Sequence, residues 1–169
     1  ADASGNAAKE LVRNVLVGDT GRPVISLKGD PEITIEAGDV YNDQGAVATD
    51  VGDGDLSDAI KVTGEVNANK PGNYELKYDV KDSAGNAAET VIRKVIVVDT
   101  TSPVITLVGE AIVTVEVGSD YEDPGVAAND SVDGDLTSQI KFTGKVHVNK
   151  LGEYQLKYNV EDASGNAAK

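Results

Sequence analysis

Gly72-Asn73-Tyr74-Glu75-Leu76-Lys77-Tyr78-Asp79-Val80 alternates without a break between Tyr74, Leu76, Tyr78 and Val80 on one side and Asn73, Glu75, Lys77 and Asp79 on the other. Successive side chains of an extended chain point to opposite faces, so this pattern predicts a strand with one buried and one wet face. Downstream, Asp82-Ser83-Ala84-Gly85-Asn86 is a turn by composition, and residues 90–98 are a β-branched run that returns as the second arm of a hairpin. Upstream, residues 24–27, 32–37, 46–49 and 61–66 read as further short strands, divided by Lys28-Gly29-Asp30-Pro31, an acidic loop at residues 50–58 and Asn69-Lys70-Pro71-Gly72. No segment carries a helical period. The expected class is therefore all-β.

The turn recurs. Near copies of Asp82-Ser83-Ala84-Gly85-Asn86-Ala87-Ala88 stand at residues 2–8 and 162–168, each 80 residues from the next. Pro23-Val24-Ile25 returns as Pro103-Val104-Ile105, and Gly54-Asp55-Leu56 as Gly134-Asp135-Leu136. Residues 72–78 return as Gly152-Glu153-Tyr154-Gln155-Leu156-Lys157-Tyr158. Self-similarity at a fixed period marks a tandem array. A chain of 169 residues then holds about two small units, each able to bury a modest core. The expected organisation is a complete repeat at 19–98 and a second at 99–169 that lacks its own last strand. Residues 1–18 would be the last strand of a preceding repeat or a donor strand. Asp19-Thr20 and Asp99-Thr100, each followed by a proline, read as polar linkers.

Tyr74 and Tyr154 each follow a Pro-Gly or Leu-Gly turn and stand two positions before a leucine, Leu76 or Leu156, expected to be buried. This resembles the tyrosine corner of immunoglobulin-like sandwiches, with leucine where a disulfide cysteine would stand. The wider pattern runs from Asp99-Thr100 and Pro103-Val104-Ile105 through Gly134-Asp135-Leu136 to Asp162-Ala163-Ser164-Gly165-Asn166. It resembles the bacterial immunoglobulin-like repeats of surface adhesins and some insecticidal crystal proteins, and more distantly hyalin repeats. Over residues 19–169 the resemblance implies tandem immunoglobulin-like β-sandwiches of about seven strands each. It also implies an extracellular or cell-surface location and a role as filament, stalk, spacer or adhesive module. Fold alone does not settle activity.

Charge narrows the partners. With 29 acidic against 15 basic residues the chain carries −14, which disfavours nucleic acid and anionic lipid and favours cations. There is no cysteine, hence no thiolate metal site and no cysteine nucleophile, and the apolar run at 95–98 is far too short to insert in a membrane. His147 is the only histidine and its repeat counterpart is Asn67, so it reads as a surface strand residue rather than a catalytic base. No nucleophile elbow, phosphate loop or His pair is present, and no enzymatic activity is expected. A module recognising carbohydrate or a host or matrix protein is the alternative, although Phe142 and six tyrosines offer few aromatic platforms. An accessory domain of a larger secreted enzyme is another.

The candidate metal ligands are aspartates. Asp50, Asp53 and Asp55 cluster in one acidic loop, and Asp130, Asp133 and Asp135 in the other, each with a glycine between the last two. Hard cations such as Ca2+ take several carboxylate and carbonyl oxygens, and the glycine lets the loop fold back. No glutamate completes an EF-hand. The competing reading is that these aspartates cap turns by accepting backbone N–H bonds. A second candidate is the junction, where Asp99 of the linker and Asp162 of the hairpin loop are expected to approach each other, with Asp19 and Asp82 in the equivalent places.

Residues 9–17 align with residues 89–97, sharing Arg13/Arg93, Val15/Val95 and Val17/Val97, and read as a strand with no domain before it. The strand missing from the second repeat would bury about four apolar side chains, worth about 6–12 kcal/mol. Two sources are open: other copies of this chain, donating residues 9–17 head to tail, or neighbouring repeats of a longer covalent array.

Overall fold

The structure, a computed structural model, describes residues 3–7 and 9–168. Asp2 and Ala8 of the opening turn copy lie outside the described residues. The first repeat contains β1 (Val24–Leu27), β2 (Glu32–Glu36), β3 (Ala46–Asp50), β4 (Gly54–Asp55), β5 (Lys61–Thr63), β6 (Gly72–Asp79) and β7 (Val91–Val98). The acidic loop is more structured than its composition implies: it contains β4 and a 3-10 turn, Ser57–Ala59. Two sheets form, in the orders β1-β3-β4 and β2-β7-β6-β5. Their inner faces meet through Ile25 of β1 and Ala48 of β3 on one side and Leu76 and Tyr78 of β6 on the other, with Val80 beside them. The alternation of residues 72–80 is what the core uses: Leu76, Tyr78 and Val80 are buried, and Glu75 and Lys77 are exposed. Tyr74 donates from its hydroxyl to the carbonyl of Lys70 at 2.8 Å, and Tyr154 to that of Lys150 at 3.0 Å, which is the tyrosine corner in both repeats.

β7 is central to its sheet. It runs antiparallel to β6 and parallel to β2, so it satisfies the backbone of both. Its inward face is Val91, Arg93, Val95 and Val97, an arginine among three valines. Arg93 is fully buried, and its guanidinium donates to Asp43 and to the carbonyls of Lys28, Asp30 and Gly45. Tyr78 donates to the other oxygen of Asp43 at 2.7 Å, and its ring lies 5.8 Å from the guanidinium carbon. A buried cation survives because each guanidinium nitrogen has a partner.

The second repeat has β8 (Val104–Leu107), β9 (Val126–Asp130), β10 (Gly134–Asp135), a 3-10 turn (Thr137–Gln139), β11 (Lys141–Thr143) and β12 (Lys157–Asn159). The sheet corresponding to β1-β3-β4 is intact. The other sheet holds β11 and β12. Residues 112–116 correspond to β2, which pairs with β7, and they form no strand. Residues 152–156 correspond to the part of β6 held by β7; only the part that faces β5 survives, as β12. Leu156 is accordingly half-buried where Leu76 is buried. Residues 9–18, although β7-like in sequence, are exposed and unpaired as a strand, since a strand needs a ladder partner to persist. Leu11, Leu16 and Val17 are each more than nine-tenths exposed.

Ionisation couples to this packing. At Asp43, burial acts upward but is outweighed by the Tyr78 hydroxyl, the Arg93 charge and the Gly45 N–H, so its pKa falls below the ordinary 3.8. Asp162 is lowered likewise, burial being outweighed by bonds from Asn166, Ser164 and Gly165. Such groups stabilise the fold fully above their unfolded pKa, and that stability is lost as pH falls through the folded value. Tyr78 is raised, by burial and then by Asp43, and Tyr158 rises to about 12, by its hydrogen bond to Asp123 and then by burial. Their contribution is full below the ordinary tyrosine value of 10.0 and fades as pH rises through the folded values. The melting temperature is therefore expected to be flat from about pH 5 to about pH 9 and to fall below about pH 4 and above about pH 10. Calorimetry across that range checks it; stability that rose on acidification below pH 4 would contradict it.

Candidate functional site

The acidic residues separate into turn caps and a cluster. Asp55 accepts from the Ser57 N–H at 2.9 Å and the Ser57 hydroxyl at 2.6 Å, and Asp135 accepts from the Thr137 N–H at 2.9 Å. Both aspartates serve the 3-10 turns and lie outside the acidic clusters. Hydrogen bonds lower the pKa of each: the Ser57 hydroxyl and N–H act on Asp55, and the Thr137 hydroxyl and N–H on Asp135. Asp53 accepts from Ser83 through its N–H and its hydroxyl, which tie the acidic loop to the 82–86 turn and hold its pKa low. It too lies outside a cluster.

The remaining aspartates converge at the head of each repeat. In the first, Asp19, Asp50 and Asp82 present carboxylate oxygens within 4.8 Å of one another; in the second, Asp99, Asp130 and Asp133 do so. The acidic loop and the linker, read from sequence as two separate sites, are one. Asp130 ends β9, and its Oδ1 accepts from the N–H groups of Val132 at 2.8 Å and Asp133 at 3.1 Å. Gly134, at φ +73°, turns the loop back into β10, a conformation an L side chain resists. Asp133 Oδ2 accepts from the Ala163 N–H at 2.7 Å. Asp99 follows β7 directly and is buried; its Oδ2 accepts from the Ser164 hydroxyl at 3.2 Å.

Asp162 adjoins the cluster through Asn166, whose side-chain amide donates to Asp162 Oδ2 at 2.8 Å and to the Asp99 carbonyl at 3.1 Å. The approach of linker and hairpin loop expected for Asp99 and Asp162 is therefore present, carried by an asparagine of the repeated turn. The same amide in the first repeat, Asn86, reaches Asp82 Oδ2 at 2.7 Å and the Asp19 carbonyl at 3.4 Å. There Asp19 is exposed, whereas Asp99 is buried.

One atom is out of balance. Asp130 is 3% exposed, and its Oδ2 has no hydrogen-bond partner, although it sits among the carboxylates of Asp99 and Asp133. A buried acceptor without a donor, beside two further acids, costs free energy unless a positive charge faces it. Oxygens on opposite sides of a Ca2+ ion lie about 5 Å apart, so the spacing of this donor set fits such an ion. All the donors are hard oxygens, which suits Ca2+ or Mg2+ rather than a softer metal.

The linker is held from both sides. Glu36 at the end of β2 accepts from the Thr100 N–H at 2.6 Å, the Thr100 hydroxyl at 3.0 Å and the Thr101 hydroxyl at 3.3 Å. Those bonds lower its pKa, the Thr100 N–H foremost. Asp99 meanwhile bonds to the second repeat. His147, expected on a surface strand, is exposed but outside any strand, with its ring 5.6 Å from that of Tyr154. Sequence reading missed the Asp43–Tyr78–Arg93 network. Its signal was available: Asp43/Asp123, Tyr78/Tyr158 and Arg13/Arg93 all recur at the 80-residue offset.

The chain is 32% identical over 128 residues to the pesticidal crystal protein Cry22Aa of Bacillus thuringiensis, covering 72% of this chain and 17% of that protein. Among solved structures it is similar to the lipoprotein BT2262 of Bacteroides thetaiotaomicron, at 31% identity over 47% of this chain and 39% of that one, with a TM-score of 0.43. It is also similar to the structure of CBM51-2 in complex with GlcNAc and INT domains from Clostridium perfringens ZmpB, at 21% identity, 82% and 27% coverage and a TM-score of 0.38. Among the described residues no helix is long and apolar enough to cross a membrane. The family described as bacterial surface protein, Ig-like domain, matches residues 25–97 and again residues 105–169, and the chain belongs to it.

Proposed function

We propose that the chain is a non-catalytic structural repeat of an extracellular bacterial filament, stalk or adhesin, in which calcium bound at the head of the second repeat stiffens the joint between the two. The observation that carries the reading is the unpartnered, buried Oδ2 of Asp130, a residue whose carboxylate clusters with those of Asp99 and Asp133. Asp99 belongs to the linker, Asp130 to the end of β9 and Asp133 to the acidic loop, so one ion there would bind the linker to the body of the second repeat. The other end of the same linker is already fixed to the first repeat by Glu36. A linker fixed at both ends transmits force and orientation, which is what a stalk requires. The surplus of acid over base, −14, supplies a favourable field for the cation.

Calcium at a hundred times its dissociation constant would stabilise the folded chain by about 2.7 kcal/mol. For a unit this size that raises the melting temperature by roughly 10–20 °C, and chelator should reverse it. Asp130→Asn keeps an oxygen for the Val132 and Asp133 N–H groups but removes the charge, and should abolish the calcium response. An unchanged melting temperature with and without calcium would remove the ion from this reading.

A further inference from the structure

We propose that the place of one serine in the repeated turn decides which head takes the cation: Ser83 disarms the first repeat by holding both oxygens of Asp53, whereas Ser164 arms the second by leaving Asp133 available and steadying Asp99. This rests on the calcium reading above and adds to it what selects between two heads of nearly the same sequence.

The two turns differ by an exchange of neighbours. Residues 82–86 read Asp-Ser-Ala-Gly-Asn and residues 162–166 read Asp-Ala-Ser-Gly-Asn, so Ser83 corresponds to Ala163 and Ala84 to Ser164. The backbone acts alike in both. The N–H of Ser83 donates to Asp53 Oδ2 at 2.5 Å, and the N–H of Ala163 donates to Asp133 Oδ2 at 2.7 Å. Asp82 and Asp162 each accept from the N–H and the side-chain amide of the turn asparagine, Asn86 or Asn166. What differs is where the serine hydroxyl goes.

In the first repeat that hydroxyl donates to Asp53 Oδ1 at 2.8 Å, so both oxygens of the carboxylate are committed to the turn. Hydrogen bonds to an ionised acceptor are the strong ones, and Asp53 stays outside the cluster of Asp19, Asp50 and Asp82. In the second repeat residue 163 has no hydroxyl. Among the described residues Asp133 is held through Oδ2 alone, and it joins Asp99 and Asp130. The hydroxyl, one position further on, donates instead to Asp99 Oδ2 at 3.2 Å, while the Asn166 amide holds the Asp99 carbonyl at 3.1 Å. Ala84 offers Asp19 no such donor. One displacement of one serine therefore releases a ligand and orients another. Both effects fall beside Asp130, whose buried Oδ2 lacks a donor; its counterpart Asp50 is only half-buried. Side chains that orient a metal ligand change affinity by about 10- to 100-fold.

The test is calcium binding to the 169-residue chain by titration calorimetry, read as stoichiometry and affinity. The parent is compared with two exchange variants, Ser83→Ala with Ala84→Ser, and Ala163→Ser with Ser164→Ala. All four positions are exposed, and each variant carries a turn sequence that the chain already folds, so neither exchange disturbs the core. The parent is expected to bind one ion. The first exchange should add a second ion, and the second should weaken the parent's site by about 10- to 100-fold. Asp130→Asn should remove the parent's ion, and Asp50→Asn the ion gained by the first exchange, which places each at its own head. A parent that fills both heads alike, or either exchange variant binding as the parent does, would overturn the role of the serine and leave the calcium reading standing. A parent that binds no calcium would overturn both.

Discussion

Replacing Arg93 with methionine is expected to lower the melting temperature of the first repeat by on the order of 15 °C, corresponding to about 3 kcal/mol. The side chain is fully buried and bonds to one carboxylate and three carbonyls drawn from segments far apart in sequence. Without the guanidinium, Asp43 keeps a charge whose side chain is only 24% exposed, and the carbonyls of Lys28, Asp30 and Gly45 lose their donor. Partial access to water places the cost at the lower end of the range for broken buried pairs. Arg93→Lys retains the charge but not the fork, and should recover part of the loss. Adding Asp43→Asn to the methionine variant should recover part as well, because the stranded charge then disappears. Thermal unfolding measures all three; a methionine variant within about 1 kcal/mol of the parent would mean that the network is not what fixes β7.

The reading of β7 also shows where sequence patterning stops. Alternation at residues 72–80 located β6, its inward face and the tyrosine corner correctly, because a half-buried strand writes its faces directly into its sequence. It located β7 as well, but the inward arginine breaks the apolar code, and its burial has no signal in that strand. Its meaning depends on Asp43 and on three carbonyls that no local window contains. The acidic site divided in the same way. Residue types and spacing singled out Asp50, Asp130, Asp133 and Asp99, which do enter the two clusters, together with Asp53, Asp55, Asp135 and Asp162, which do not. What the residues outside the clusters share is another partner: Asp55 and Asp135 accept from the 3-10 turns, Asp53 from Ser83 and Asp162 from the Asn166 amide. None of these partners has a composition signal of its own. The state of residues 112–116 was equally out of reach: their alternation is that of a strand, yet they form none here.

Gly64→Ala is the second large effect expected, at about 4 kcal/mol, and its cause is steric. Residues 61–66 read from sequence as one strand, yet β5 stops at Thr63 because Gly64 takes φ +104°, a region in which an L side chain is strained by about 1–3 kcal/mol. A Cβ there would stand 2.1 Å from the carbonyl oxygen of Glu75, deep inside any permitted contact. That carbonyl belongs to β6 and cannot retreat without disturbing the adjacent pairing of Thr63 with Lys77, so overpacking of about 1–3 kcal/mol adds to the strain. Gly54→Ala is the control. Its φ of +76° carries comparable strain, but nothing lies within 4 Å of the added carbon, so its cost should be the strain alone. Denaturant unfolding of the two variants separates the terms, and equal losses would show that β5 and β6 do not approach as closely as described. Gly144 repeats the geometry, with the Gln155 carbonyl oxygen 2.1 Å from its absent Cβ. The glycine therefore stands at the same offset in both repeats because the chain must cross a neighbouring backbone there.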